Sequence, residues 1–300
     1  GRDAEPPRPE GAHREAGGVN RLAAVCLMAA LHGCAATGVP RTTQPLAWTL
    51  GSAEASAITT QTYRALVRSV QARLPVAAGT PSAILGADGT PLPCTAETAQ
   101  RPAAVFDVDE TLIWNIGHAY YEARGDAPFD EKAWGAWERE GAEKAVAVPG
   151  AKAALDALRA MGVTPVFNTN RNAENAKHTE AALAHTGLGP AVHGETLFLK
   201  GDVDGKSGKD GRRAEIAKRF CVLALAGDQN GDFADDIDNG PAGKRPMAER
   251  RETAAARHGA HWGADWFVFP NPLYGGWNNP PMNRDDVVAP DQRWTYKGNH

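Results

Sequence analysis

The sequence predicts an α/β protein in which helices cover both faces of a parallel β-sheet. Short apolar runs recur at 103–106 ("AAVF"), 163–167 ("VTPVF"), 221–226 ("CVLALA") and 266–269 ("WFVF"). Strands buried on both faces read as near-continuous apolar runs of this kind. Helical stretches separate the first three runs, and strands alternating with helices imply a parallel sheet.

With 300 residues, 42% hydrophobic and 23% charged, the chain can bury a substantial core. A net charge of -4 gives no global basic field, so nucleic-acid polymers are not expected partners. Residues 1–20 mix Pro and Gly with Arg and acidic residues, a composition that builds no core. "RLAAVCLMAALHGC" follows, ending at Cys34. Its apolar run is shorter than the roughly 20 residues a membrane-spanning helix needs, so residues 1–34 are expected to be a secretory signal peptide with a leader. Leu31–Cys34 resembles the lipobox of bacterial lipoproteins, which predicts lipid on Cys34 and an exported, membrane-anchored protein of the cell envelope. Residues 35–47 read as a tether.

From there the pattern is regular. "SAEASAITTQTYRALVRSVQARL", 52–74, opens on a Ser cap and repeats apolar residues at helical spacing. Residues 80–102, rich in Gly and Pro, read as a loop. "PGAKAALDALRAMG", 149–162, is a helix with Pro placed to open it and Gly to close it. Residues 279–300 form a polar tail. Cys94 and Cys221 remain for a folded domain; they can pair, though their spacing does not show it. No CxxC or Cys/His cluster suggests zinc.

In such sheets ligands bind at the carboxyl ends of the strands. Asp107 and Asp109 follow the first run, Thr169, Asn170 and Arg171 the second, and Asp228 and Asp232 the third, so four carboxylates converge on one crevice. Two like charges about 4 Å apart repel by roughly 4 kcal/mol at an effective dielectric of 20. A divalent cation resolves that cost, and all-oxygen ligation favours Mg²⁺. Each piece has a plain structural reading as well. A lone Asp-x-Asp is common in turns, Thr and Asn cap helices routinely, and Lys209 suits a solvated helix start. "GDQNGDFADDIDNG", 227–240, lacks the terminal Glu of an EF-hand loop. Order and separation together carry the weight.

That order, "DVDET", "NTNR", "KSGKDGRR" and "GDQNGD", resembles the haloacid dehalogenase superfamily of aspartate-nucleophile phosphatases. With "SAEASAITTQTYRA", "FDEKAWGAWEREGAEKAVAVPGA" and "FPNPLYGGW", the chain is more narrowly similar to the class C nonspecific acid phosphatases, the bacterial 5′-nucleotidase lipoprotein e group. The resemblance implies a Rossmann-like sheet with a small helical cap, a phosphatase domain at 48–278 and the cap at about 115–148. By resemblance Asp107 is the nucleophile that forms an aspartyl-phosphate, and Asp109 is the general acid and base. Lys209 pairs with phosphate and nucleophile. Thr169 and Asn170 contact phosphoryl oxygens. The metal is held by Asp107, Asp109 through its carbonyl, Asp228 and Asp232. A carboxylate attacking a phosphate dianion faces about 8 kcal/mol of repulsion at the same distance and dielectric, which these cations must cancel.

Arg171 is expected to brace the site, with Arg212 and Arg213 solvated. Trp134 and Tyr274 match the aromatic pair that sandwiches a nucleobase in the related lipoproteins, although eight Trp in the chain would ordinarily mean packing. The implied function is a metal-dependent phosphatase of small phosphate monoesters, nucleoside 5′-monophosphates foremost. A phosphotransferase on the same fold, and a noncatalytic ligand-binding lipoprotein, are the alternatives. The presence of Asp107 argues against the second.

Overall fold

The computed structural model describes residues 43–124, 129–238, 245–278, 287–288 and 290–295. In chain order its elements are α1 (Gln44–Gly51), α2 (Ala53–Ala72), β1 (Pro81–Leu85), β2 (Pro91–Pro93), β3 (Pro102–Phe106), β4 (Ile113–Trp114), α3 (Ile116–Glu122), α4 (Glu131–Glu140) and β5 (Val146–Ala147). There follow α5 (Ala151–Ala160), β6 (Thr164–Asn172), α6 (Ala176–His185), β7 (Leu197–Lys200), α7 (Asp210–Ala217), β8 (Cys221–Gly227), α8 (Met247–His258) and β9 (Trp266–Val268).

The main sheet has the order β7-β6-β3-β8-β9, with every pairing parallel. Alternate side chains of β3 enter two different cores, as the period of a strand requires. Ala104 and Phe106 join residues of α2, α5 and α6 on one face, whereas Ala103 and Val105 join Ile84, Ile216 and Trp266 on the other. The register of β3 on β8 slips between Ala103 and Ala104, which face Val222 and Ala224. Leu223 is therefore an extra residue, and the bulge advances the end of β8 by one position relative to the end of β3.

Ser52 caps α2 by accepting from the Ala55 N–H at 3.0 Å, and Tyr63, Leu66 and Val70 line its buried face. Gly150, at φ 92°, turns the chain into α5, which Gly162, at φ 74°, ends. Helices α3 and α4 lie between β3 and α5, and the two-residue ribbon β4/β5 closes that excursion at its base.

Three expectations need correction. Residues 80–102 are not a plain loop: β1 and β2 pair antiparallel, and the hairpin buries Ser82, Ala83 and Ile84. The Trp266 indole N–H donates to the Ala83 carbonyl at 2.8 Å, and the Ser82 hydroxyl donates to the Val222 carbonyl at 3.1 Å. The Gly and Pro that suggested a loop belong to the turn and edges of the hairpin. The tether assigned to 35–47 overlaps α1, whose Pro45 presets the first turn and whose Leu46 is buried. Finally, "LFLK" at 197–200 is an edge strand of the main sheet that the apolar runs did not include. The segment expected to be a signal peptide, 1–34, with Cys34 and most of the expected polar tail, lies outside the described residues; within the tail, Pro290–Gln292 form a single 3-10 turn. Among the described residues no helix is long and apolar enough to cross a membrane.

Cys94 and Cys221 form a disulfide with Cα atoms 5.2 Å apart and 127 residues between them in sequence. It ties the chain just after the hairpin to the first residue of β8, an interior strand of the sheet. Closing so long a loop restricts the unfolded chain, and removing such a bridge typically costs about 2–5 kcal/mol. Cys94→Ala/Cys221→Ala is expected to lose stability of that size in chemical unfolding, and alkylation of the unreduced native protein is expected to label neither cysteine.

Candidate active site

The carboxyl ends of β3, β6 and β8 open into a cavity of about 920 Å³ roofed by α4. Asp107, one residue beyond β3, stands at its floor and is buried. The Lys209 ammonium donates to Asp107 Oδ1 and, at 2.6 Å, to Asp232 Oδ1. Asp107, Asp228 and Asp232 each offer a carboxylate oxygen within 4.8 Å of the others, a group able to hold a metal ion.

Local backbone places these groups. Beyond Asp107 the chain doubles back, with the N–H groups of Leu112 and Ile113 both donating to the Val108 carbonyl at 2.9 Å. Glu110 takes a left-handed conformation, φ 56°, to make the turn, a strained choice for a residue with a side chain. At the end of β8 a glycine is required: a Cβ on Gly227 would lie 2.2 Å from Asp232 Cβ. That space lets Asp232 fold back so that its Oδ2 accepts from the N–H groups of Asp228, at 2.9 Å, and Gln229, at 2.8 Å. Asp228 is oriented in turn by donors from Gln229 (2.7 Å), Asn271 (2.9 Å) and Thr111 (3.2 Å).

Electrostatics shows the strain of crowding. Burial drives the Asp107 carboxyl well above the usual carboxylate range; Lys209 pulls it down, and Asp232, Asp228 and Asp109 push it further up. Asp228 is raised to about 7 by withdrawal from solvent and by Asp232. Burial alone would depress the Lys209 ammonium, but Asp107 and Asp232 outweigh it and raise it, so Lys209 stays charged. Three carboxylates against one ammonium leave an excess of two negative charges, which a single dication cancels. The donors are oxygens throughout, as a hard cation prefers.

The Asp109 carboxyl does not join that cluster. The Arg171 guanidinium grips it with Nε–Oδ1 at 2.9 Å and Nη2–Oδ1 at 2.8 Å, and Asn115 Nδ2 donates to the same oxygen at 2.9 Å. Arg171 therefore braces Asp109. Thr169 is placed differently from its expected role on phosphoryl oxygens: it is wholly buried, its hydroxyl donates to Asp109 Oδ2 at 3.4 Å and it accepts from the Arg171 N–H at 3.2 Å. The Asp109 carboxyl covers it. Asn170, the next residue, does line the cavity, and its side-chain oxygen accepts from Arg212.

Arg212 and Arg213 are buried rather than solvated. Arg212 donates to the Thr169 and Ser207 carbonyls, holding the end of β6 against the loop that leads to Lys209. Arg213 donates to the Gly231 carbonyl at 2.8 Å, tying α7 to the turn that carries Asp232. Their burial was hidden in the sequence because each satisfies main-chain carbonyls, which any sequence supplies.

Trp134 and Tyr274 both line the cavity. His118 meets the Trp134 ring edge-on at 4.9 Å, and the Tyr274 hydroxyl donates to the buried Glu110. Burial, with Asp109 beside it, raises Glu110 to about 7. Glu138 of α4 is fully buried and accepts from the Asn172 N–H at 3.1 Å and from Asn175 Nδ2 at 2.5 Å, which fastens α4 to the end of β6. Asn115, Glu110, His118, Glu138 and Asn271 were not among the residues expected in the site. Asn115 and Asn271 sit inside the motifs "DVDETLIWN" and "FPNPLYGGW", but nothing in their spacing announces a partner.

The raised Asp228 fixes the sign of a pH effect. Its proton is favoured in the folded state, so ionising it costs stability progressively from the ordinary carboxylate range up to about pH 7. Metal ligands must be deprotonated. The rise in melting temperature produced by Mg²⁺ is thus expected to be small well below pH 7 and to grow as the pH passes about 7, read by differential scanning fluorimetry. Asp228→Asn is expected to flatten that dependence.

Residues 48–277 match the family described as HAD superfamily, subfamily IIIB (Acid phosphatase). Among solved structures, the class C acid phosphatase from Bacillus anthracis is 25% identical, with a TM-score of 0.62 over 81% of this chain and 90% of that one. The same enzyme from Bacillus anthracis with tungstate bound is also 25% identical, with a TM-score of 0.61 over 78% of this chain and 85% of that one. Sheet order, strand-end carboxylates and lysine therefore have their place: the chain belongs to the acid phosphatases of HAD subfamily IIIB and is a phosphoric monoester hydrolase.

Proposed function

We propose that the protein is an exported acid phosphatase that hydrolyses nucleoside 5′-monophosphates through an aspartyl-phosphate on Asp107, with Mg²⁺ as its metal. The observation that carries the reading is the buried Asp107 carboxyl on the cavity floor, paired with Lys209 and clustered with Asp228 and Asp232. These three carboxylates, with the Asp109 main-chain carbonyl as a further donor, would hold the ion. Bound there, Mg²⁺ screens the charge of the incoming phosphate against the carboxylates.

The chain's own residues perform the rest. Lys209 holds Asp107 in place and offers its charge to the phosphate dianion. As an oxygen of Asp107 bonds to phosphorus, the ester bond breaks and Asp109 passes its proton to the departing oxygen. Asp109 then takes a proton from the water that attacks the aspartyl-phosphate. Helix α4 closes one side of the cavity against solvent. Tungstate bound to the class C acid phosphatase from Bacillus anthracis supports a site for a phosphate-like oxyanion in this chain.

Trp134 and Tyr274 support a planar base between them; stacking of this kind is worth roughly 1–3 kcal/mol per base and tolerates its identity. The Cys94–Cys221 bridge supports export, because cytosolic thiols are kept reduced. Both cysteines found free in the native protein would remove that support. Lipid anchoring at Cys34 concerns a residue outside the described ones and rests on the lipobox resemblance.

Asp107→Asn is expected to lose p-nitrophenyl phosphate hydrolysis by on the order of 10³-fold or more, while EDTA abolishes and Mg²⁺ restores the activity of the parent. Full activity in that variant sinks the nucleophile. In Tyr274→Ala the preference for a 5′-mononucleotide over ribose 5-phosphate is expected to fall by roughly 5- to 100-fold in kcat/KM, the equivalent of one lost stacking contact. An unchanged preference would count against the base site.

A further inference from the structure

Asn115 is buried at the boundary between α4 and the sheet, and every hydrogen-bonding position of its side-chain amide is used. Its Nδ2 donates to Asp109 Oδ1 at 2.9 Å and to Glu110 Oε1 at 3.2 Å. Its Oδ1 accepts from the Trp137 indole Nε1 at 2.7 Å and from Arg171 Nη2 at 2.9 Å. Chemistry fixes the orientation of the amide: turned over, its oxygen would face two carboxylates and its NH₂ two donors. The indole is fixed as well. A Cβ on Gly117 or on Gly141 would lie 2.5 Å from the Trp137 ring, so the ring fits only because both positions are glycine.

These contacts leave the two oxygens of Asp109 unequal. Oδ1 accepts from Asn115 and from both Nε and Nη2 of Arg171. Oδ2 has only longer contacts, to Arg171 Nε at 3.2 Å and Thr169 Oγ1 at 3.4 Å. Pinned through Oδ1, the carboxyl keeps Oδ2 as its weakly held oxygen, in a residue that lines the cavity.

We propose that Asn115 is a positioning residue that holds the Asp109 carboxyl with Oδ2 aimed at the ester oxygen, and that helix α4 sets this aim through the Trp137 N–H. The inference rests on the acid role given to Asp109 above. When Asp107 bonds to phosphorus and the ester bond breaks, the proton on Asp109 Oδ2 passes to the leaving oxygen. An acid held off line fails to deliver it. The cap thereby assembles the acid and the substrate wall together, since Trp134 and Trp137 ride on the same helix.

The test compares kcat/KM, which reports events up to departure of the leaving group, for two substrates. p-Nitrophenolate leaves without a proton, whereas the alkoxide of glycerol 2-phosphate needs one. In Asn115→Ala, kcat/KM is expected to fall by roughly 10²-fold on glycerol 2-phosphate, at the low end of what general acids supply, and by no more than about threefold on p-nitrophenyl phosphate. Asn115→Ser, small and uncharged, is a second variant without the amide donor facing Asp109; it is expected to show the same selective loss, and the melting temperatures of the two Asn115 variants guard against a folding defect. Trp137→Phe is expected to show a smaller selective loss that adds nothing to Asn115→Ala in the double variant, the signature of one shared path. Equal falls on both substrates in both Asn115 variants would overturn the positioning role. A Trp137→Phe enzyme with unchanged leaving-group dependence would overturn the link to the cap. Asp109→Asn is the control: equal falls there would overturn the acid role itself, and the positioning with it.

Discussion

Three carboxylates and one ammonium crowd together where β3 and β8 end. Every other feature of the site accommodates that crowding. Lys209 spans Asp107 and Asp232, yet burial, and after it the neighbouring carboxylates, lift Asp107 and Asp228 above their usual range. A protein gains nothing in stability from such an arrangement, since unpaired buried charge is costly. What the arrangement offers is a group of oxygens able to hold a metal ion, whose charge would offset the repulsion between the carboxylates and a phosphate. The glycine at 227, the folded-back Asp232 and the donors around Asp228 all serve to keep the oxygens converging despite their repulsion.

Around these carboxylates, two buried arginines act on main-chain atoms. Arg212 and Arg213 satisfy carbonyls of three different segments, and so lock the end of β6, the loop before Lys209 and the turn at Asp232 to one another. Arginine suits the task because its planar fork reaches two partners at once and stays charged when buried. Burial and the neighbouring Arg213 lower Arg212 only to about 10, so it remains a cation at working pH.

The cap is joined to the chemistry by polar contacts rather than by apolar packing alone. Glu138 fastens α4 to Asn172 and Asn175, and Trp137 reaches Asn115. Buried hydrogen bonds are directional, so they set one position for α4 over the cavity where a greasy interface would permit sliding. On the other wall Tyr274 is tethered through its hydroxyl to Glu110, which also accepts from the Asn115 N–H at 3.1 Å. Asp109, the cap and the aromatic wall thus meet in one network through Asn115 and Glu110.

Properties that depend on near neighbours in the chain were legible in the sequence alone. Helix periodicity and caps located α2 and α5, and the four apolar runs mark β3, β6, β8 and β9. Because strand ends of a parallel sheet share one edge, the order of the motifs sufficed to bring Asp107, Asp228 and Asp232 onto a single cavity, and the family resemblance added Lys209. What the tertiary structure alone decided involves partners distant in sequence. The hairpin β1–β2 owes its burial to Trp266 and Val222, Arg212 and Arg213 owe theirs to carbonyls elsewhere, and Thr169 faces Asp109 rather than the cavity. Cys94 meets Cys221 and Asn115 meets Trp137 for the same reason. Such contacts follow from where folded elements come to rest, and a local pattern carries no record of that.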